Sequence, residues 1–214
     1  MRRMSANLEA VLMMSTISKD YLTDRFNSNE LCLESLTDSD ATRGNIIKMF
    51  RSHLSRAGAD DVVLFHYSGH GARSKSAQDF KQFYPDGKDE GLVCYDSRKP
   101  DGFDLADKEL AVLLSELDQN NPHIALLLDC WHAGSATRGA DDFTQARARV
   151  THEIFEERPL ESHLDGYYST RLAQDKSLMI PASRHILLAA CERVQKAWKS
   201  RIIAVYSVAP CWRV

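Results

Sequence analysis

Two stretches of the sequence have the same pattern of apolar and polar residues, and they restrict the possible folds more than any other feature. Residues 61–73 are DVVLFHYSGHGAR, and residues 123–135 are HIALLLDCWHAGS. In each, a continuous apolar run ends in a polar turn that contains glycine. A third run, HILLAA, covers residues 185–190. Continuous apolar runs are typical of strands buried on both faces, as in parallel sheets. We therefore predict central strands at Val62 to Tyr67, Ile124 to Leu128 and His185 to Ala190.

Helical patterns lie between these strands. The clearest has its apolar positions between Ile46 and Leu54, with candidate N-cap residues at Thr37 to Asp40 and an end at Gly58. A second helix is predicted over Asp104 to Leu117, and a weaker helical stripe covers Ala6 to Phe26. Strands that alternate with helices indicate an α/β fold, with a mostly parallel central sheet and helices on both faces.

Four other stretches carry weaker signals. Leu31 to Leu36 and Leu92 to Tyr95 are short candidate strands. Ser74 to Lys88 is polar and contains Pro-Asp-Gly, which indicates a loop. Ala136 to Ser183 is long, charged and weakly periodic, and we interpret it as a functional or disordered loop.

Composition narrows the class of protein. The chain of 214 residues has a net charge of −3, whereas a nucleic-acid binder normally carries a basic stripe. No apolar run approaches the roughly 20 residues that span a bilayer, so we expect no membrane segment. The cysteines are odd in number and form no CxxC pair, which favours free thiols in a reducing, cytoplasmic compartment; they are Cys32, Cys94, Cys130, Cys191 and Cys211.

His70 is the first candidate functional residue. Gly69 and Gly71 flank it, which allows a sharp turn at the end of a predicted strand. Open α/β sheets bind ligands at the carboxyl ends of their strands. A lone histidine is more often structural, but the matching turn after residue 128 favours one site made from two strand ends.

These residues resemble the caspase-like cysteine peptidases, most closely the fungal metacaspase-type domains of peptidase family C14. YSGHG at Tyr67 to Gly71 and LLLDCWHAGSATR at Leu126 to Arg138 carry the likeness, which extends from about Leu8 to Trp198. It implies a caspase-like three-layer sandwich in residues 1–198, with an inter-subunit-type loop at 136–183. From this pattern we expect the first strand and the C-terminal closing elements to be lacking here, and residues 199–214 to form a divergent tail.

The resemblance also implies a catalytic site. Family chemistry needs a thiolate nucleophile and an imidazole base, and the base position is His70. Gly71 and the turn at Trp131 and His132 would border the oxyanion. An acidic first pocket would draw on Ser68 and Asp129 and would favour Arg or Lys in a peptide or protein substrate.

The sequence departs from the family at the nucleophile. The family pattern is Asp, any residue, Cys, His, Ser or Ala, Gly, and residues 129–134 here are DCWHAG. Trp131 therefore stands where the nucleophilic cysteine belongs. Cys130 is adjacent, but neighbouring side chains at a strand end point to opposite faces, so its thiol is expected to point away from His70. We predict impaired peptidase activity.

No cofactor is predicted. Some metacaspases need calcium, and Asp89, Glu90 and Asp107 could supply part of such a site by resemblance. Lys108 and Arg138 stand where acidic residues are expected, so we predict no metal site. Arg138, Arg147 and Arg149 are candidate processing positions by the same resemblance, although an ordinary charged loop explains them equally well.

Two other functions remain as hypotheses. The chain could be an inactive pseudopeptidase that acts as a binding or regulatory module, pairing with related caspase-like chains. It could instead be a doubly wound binder of nucleotides or phosphate. That hypothesis is weak, because no G-x-G-x-x-G or Walker loop follows any predicted strand.

Overall fold

The structure is a computed structural model. It describes residues 19–27, 30–82, 87–97, 99–130, 154–176 and 178–189. The strands are β1 (Val62–Ser68), β2 (Gly71–Lys75), β3 (Lys88–Leu92), β4 (Leu105–Ala106), β5 (His123–Asp129), β6 (Ile154–Glu157) and β7 (Ile186–Ala189). The helices are α1 (Arg43–Ser52), α2 (Asp107–Asp118) and α3 (Tyr167–Asp175), with 3-10 segments at Asp38–Asp40, Leu54–Arg56, Gln78–Gln82 and Leu160–Gly166. Residues 19–25 are also helical.

The three apolar runs form a parallel sheet, as predicted. Its strand order is β1-β5-β7, and both pairings are parallel. β1 and β5 are in direct register, so Ser68 pairs with Asp129 at their carboxyl ends. The α/β fold with a parallel sheet and helices is therefore confirmed.

The core lies on one face of this sheet. Val63, Ile124 and Leu126 pack there against Phe50 of α1 and Leu113 of α2. The opposite face is less covered in the described part of the chain, where Val62, Leu64, Ile186 and Leu188 are exposed. Burial on both faces, expected from the continuous apolar runs, is therefore incomplete among these residues.

Two of the predicted helices exist, with shifted ends, whereas the helix predicted over Ala6 to Phe26 lies outside the described residues up to residue 18. The residue that caps α1 is Thr42, whose hydroxyl accepts a hydrogen bond from the Asn45 amide at 3.2 Å. The predicted cap segment instead forms the 3-10 turn Asp38–Asp40. α2 begins at Asp107 rather than Asp104, because Leu105 and Ala106 pair with β3 as β4.

A second sheet was not predicted. It has the order β4-β3-β2-β6, and β2 pairs antiparallel with β3. The loop predicted at Ser74 to Lys88 is thus partly wrong, and so is the strand predicted at Leu92 to Tyr95, which ends at Leu92. These strands were not predicted because they carry charged side chains instead of an apolar pattern. Arg73 and Glu90, for example, are cross-strand partners joined by a 3.0 Å ion pair.

Two further expectations were wrong. Leu31 to Leu36 forms no strand, and the Cys32 carbonyl oxygen lies 3.1 Å from Nε2 of His53 instead of in a sheet ladder. The loop predicted at Ala136 to Ser183 contains β6 and α3. Sparse apolar residues anchor this segment in the core despite its charge, and they are Leu160, Leu164, Tyr168 and Leu178.

No helix in the described ranges is long and apolar enough to cross a membrane.

Candidate active site

The carboxyl ends of β1 and β5 bring two predicted substrate-binding residues together. The Ser68 hydroxyl donates a hydrogen bond to Oδ2 of Asp129 at 3.2 Å. Both side chains are half-buried. The backbone amide of Gly69 also points to the Asp129 carbonyl oxygen, at 3.4 Å. The sequence order alone could not guarantee this contact, which depends on the register between the two strands.

The turn that carries His70 is held by hydrogen bonds to its backbone. The His70 carbonyl oxygen accepts from the Val93 amide at 3.0 Å and from the Tyr67 hydroxyl at 2.8 Å. The Tyr67 hydroxyl also lies 3.0 Å from the Val93 carbonyl oxygen. The turn is therefore fixed against the residue that follows β3.

Gly69 makes this arrangement possible. A Cβ atom at residue 69 would collide with the Tyr67 hydroxyl and its ring carbon Cζ. Burial raises the pKa of Tyr67 well above its usual value, so the hydroxyl stays protonated and can donate. Tyr67 belongs to the YSGHG motif, but this structural role was not predicted from the sequence. The signal that could have indicated this role is a tyrosine placed three residues before a histidine that is flanked by glycines.

His66 lies on the same face of the sheet as Ser68 and Asp129, since strand residues two apart share a face. Burial lowers the pKa of His66, and the nearby Asp129 charge only partly opposes this. The imidazole is therefore mostly neutral near pH 7.

Cys130 lies in the hydrophobic core. Cys130 is 1% exposed and belongs to the same core cluster as Leu128. Tyr67 packs against that cluster. Asp129, between Leu128 and Cys130, faces Ser68 instead. Among the described residues Cys94 is also buried, and its thiol is held neutral because burial raises its pKa to about 12.

Trp131 and His132 lie outside the described residues, as do the candidate processing positions Arg138, Arg147 and Arg149. Of the predicted site, the structure thus describes His70, Gly71, Ser68, Asp129 and Cys130. Gly71 is buried and opens β2.

The comparisons with known proteins decide the family. A family model described as the metacaspase, peptidase C14 domain matches residues 5–138, more than half of the chain. The chain belongs to the metacaspase family of C14 peptidases. Its predicted closeness to fungal members stays a prediction.

Curated metacaspases show the same relationship. Metacaspase III c of Phaeodactylum tricornutum is 33% identical over 94 residues, which are 44% of this chain and 27% of that protein. Metacaspase-2 of Trypanosoma brucei brucei is also 33% identical over 94 residues, which are 25% of its length. The match thus spans about a quarter of these metacaspases.

A solved structure supports the fold alone. Protein GSU0716 from Geobacter sulfurreducens superposes with a TM-score of 0.53 at 21% identity, covering 86% of this chain and 62% of the other.

The acidic residues that the family resemblance pointed to do not fit a calcium ion. Glu90 pairs with Arg73, and the Lys108 ammonium nitrogen lies 2.5 Å from Oδ1 of Asp89 and 3.5 Å from Oδ1 of Asp107. Within the described ranges, no three His, Cys, Asp or Glu side chains are grouped so that they could hold a metal ion.

Proposed function

We propose that this chain is a metacaspase-type cysteine endopeptidase domain that binds Arg or Lys side chains of a peptide but hydrolyses peptide bonds poorly. The reason for the impairment is Trp131 at the nucleophile position. Because the chain matches only a quarter of its curated relatives, the activity of the whole protein is part of this proposal.

The contact between Ser68 and Asp129 is the observation that carries the binding half of the proposal. The carboxylate lies at the strand ends beside the His70 turn, where open α/β sheets place ligands. An Arg guanidinium donates to a carboxylate in a charge-assisted pair, which is stronger than a neutral hydrogen bond. A Lys ammonium would bind there as a point charge.

The impairment follows from chemistry at residue 131. Indole offers only an N–H donor and cannot attack a carbonyl carbon. Loss of the nucleophile costs on the order of 10⁶ in kcat in a triad enzyme. Cys130 is a poor substitute, because a thiol packed in the core cannot reach a substrate carbonyl in the pocket, and a misplacement of about 1 Å already costs roughly 100-fold.

The test is hydrolysis of fluorogenic peptides that end in Arg or Lys, by the natural chain and by Trp131→Cys. We expect turnover by the variant and at least about 1,000-fold less by the natural chain. A Trp131→Cys, His70→Ala double variant should be as inactive as the natural chain. Equal turnover by the natural chain and Trp131→Cys, or none by Trp131→Cys, would contradict the proposal.

The pocket is tested separately in the Trp131→Cys background. Asp129→Asn should lower kcat/KM on Arg peptides by about tenfold or more, since it removes one charge-assisted contact. Asp175→Asn is the matched control, because Asp175 pairs with Arg171 on the exposed surface of α3. An equal loss in both variants would exclude a specific role for Asp129.

The second candidate function is a binding module without catalysis. It is favoured by the Ser68–Asp129 contact, which is present although residue 131 is tryptophan and not cysteine. In this case the natural chain binds a labelled Arg-ended peptide with the same affinity as Trp131→Cys and never cleaves it. Fluorescence polarisation measures that affinity, and loss of binding in Asp129→Asn identifies the pocket.

A further inference from the structure

A buried ammonium group lies among oxygen atoms between β3 and α2. Nζ of Lys108 is 2.5 Å from Oδ1 of Asp89, 3.0 Å from the Lys88 carbonyl oxygen and 3.5 Å from Oδ1 of Asp107. Lys108 is 2% exposed and Asp89 is 1% exposed. The ammonium is therefore a fixed part of the interior rather than a mobile surface charge.

The three oxygens match what a lysine needs. An ammonium group has three N–H donors and no acceptor, and the described oxygens of Asp89, Lys88 and Asp107 lie within 3.5 Å of it. A calcium ion needs six to eight oxygens at about 2.3–2.6 Å. Nζ occupies the space between Asp89 and Asp107, so a calcium ion could bind both carboxylates only if the lysine left.

Both carboxylate oxygens of Asp89 already have partners. Its second oxygen, Oδ2, lies 2.9 Å from Nε2 of His163, whose Nδ1 lies 3.1 Å from the Pro159 carbonyl oxygen. Because a carbonyl oxygen can only accept, Nδ1 donates to it. A divalent cation would add two positive charges to a cluster that already contains Lys108.

This cluster joins elements that support the candidate active site. Asp89 lies in β3, Lys108 lies in α2, and the Val93 amide just after β3 holds the His70 carbonyl oxygen. The Tyr168 hydroxyl of α3 also donates to the Lys108 carbonyl oxygen at 2.8 Å. A cation between Asp89 and Asp107 therefore joins α2 to β3, the strand whose far end is hydrogen-bonded to the turn that presents His70.

We propose that the ammonium group of Lys108 is a built-in cation that fills a latent divalent-cation site between Asp89 and Asp107, so that this chain folds and keeps its site without calcium. The inference is independent of Trp131 and of whether the chain cleaves peptides. It predicts that calcium binding appears only when the ammonium is removed.

The experiment compares thermal unfolding of the full chain in chelator and in millimolar calcium. The natural chain should unfold at the same temperature in both, and calorimetric titration should show no saturable calcium binding. Lys108→Asp should unfold earlier in chelator and recover in calcium by roughly 5–10 °C, the shift expected at about a hundredfold the dissociation constant. Lys108→Gln, which removes the charge and is one atom shorter than lysine, should show a smaller recovery.

Lys48→Asp is the matched control, because Lys48 is an exposed residue of α1 and the substitution changes the net charge equally. It should gain no response to calcium. If Lys108→Asp fails to fold in chelator, its yield of folded protein after refolding with calcium against magnesium gives the same answer. Saturable calcium binding by the natural chain, no calcium response in either Lys108 variant, or an equal response in Lys48→Asp would each overturn the proposal.

Discussion

At the scale of single residues, the Tyr67 hydroxyl ties the His70 turn to the end of β3. Tyr67→Phe removes one buried hydrogen bond while keeping the ring in place. We expect a loss of about 1 kcal/mol in the free energy of unfolding. Urea denaturation measures the loss, and Tyr95→Phe is the control because Tyr95 is exposed. A loss in Tyr67→Phe no larger than in the control would contradict the role given to this hydroxyl.

Gly69 is the second residue that the turn requires. Gly69→Ala places a methyl group against the Tyr67 ring and should cost roughly 1–3 kcal/mol of stability, the range for overpacked sites. Gly44→Ala is an informative contrast, since Gly44 lies in α1 and an added Cβ there meets no atom within 4 Å. That variant should gain up to about 1 kcal/mol. Equal effects of the two substitutions on the urea midpoint would show that contact with Tyr67 is not what requires glycine at residue 69.

At the scale of elements, Glu109 of α2 joins four parts of the chain. Its carboxylate accepts hydrogen bonds from Arg43 of α1 and from Arg158 after β6, at 2.5 and 2.9 Å. It also accepts from the backbone amides of Ala106 and Leu164, at 2.9 and 2.6 Å. Leu164 has a left-handed backbone with φ 49°, a strained conformation for leucine, and Glu109 holds it there.

Replacing Glu109 with glutamine should therefore be costly. The substitution leaves two arginines near a neutral group, and breaking a buried ion pair typically costs about 3–5 kcal/mol. Glu116→Gln is the control on the same helix, because its pair with Arg51 is solvent-exposed and worth at most about 1 kcal/mol. Chemical denaturation of both variants compares them. A similar loss in each would mean that Glu109 is not the hub of this region.

The same residue gives the fold a defined response to acid. Burial alone would raise the pKa of Glu109, but Arg158 and Arg43 outweigh it and hold the pKa below its usual value. The folded state thus binds this proton less readily than the unfolded state does. The stabilisation is complete above the ordinary pKa of about 4.3 and is lost as the pH falls below it. Between pH 5 and pH 3 the stability of Glu109→Gln should fall less steeply than that of the natural chain, and parallel curves would refute this assignment.

At the scale of the whole molecule, the central parallel strands could be predicted from the sequence. Continuous apolar runs located β1, β5 and β7, and a motif located His70. The second sheet was missed because β2 and β3 are short and charged, and their stability depends on cross-strand pairs such as Arg73 with Glu90. Tertiary packing, rather than local pattern, decides such strands.

The candidate site was only partly predictable for a similar reason. Resemblance supplied Ser68 and Asp129, but their contact depends on the register of β1 with β5. Lys108 was recognised as a departure from an acidic pattern. Its placement between Asp89 and Asp107 required coordinates, because the carboxylates come from different elements.

The most direct test of the central claim is covalent labelling by an Arg-directed chloromethyl ketone, followed by intact mass measurement. This reagent alkylates accessible thiols in general, including the exposed Cys32, but it reacts much faster with a thiol that lies beside a bound Arg side chain and an imidazole base, so the rate of labelling is the readout. We expect one rapidly formed adduct on Trp131→Cys, and only slow labelling of the natural chain and of the Trp131→Cys, His70→Ala double variant. An adduct on Cys130 of the natural chain, at the rate seen with Trp131→Cys, would contradict the account.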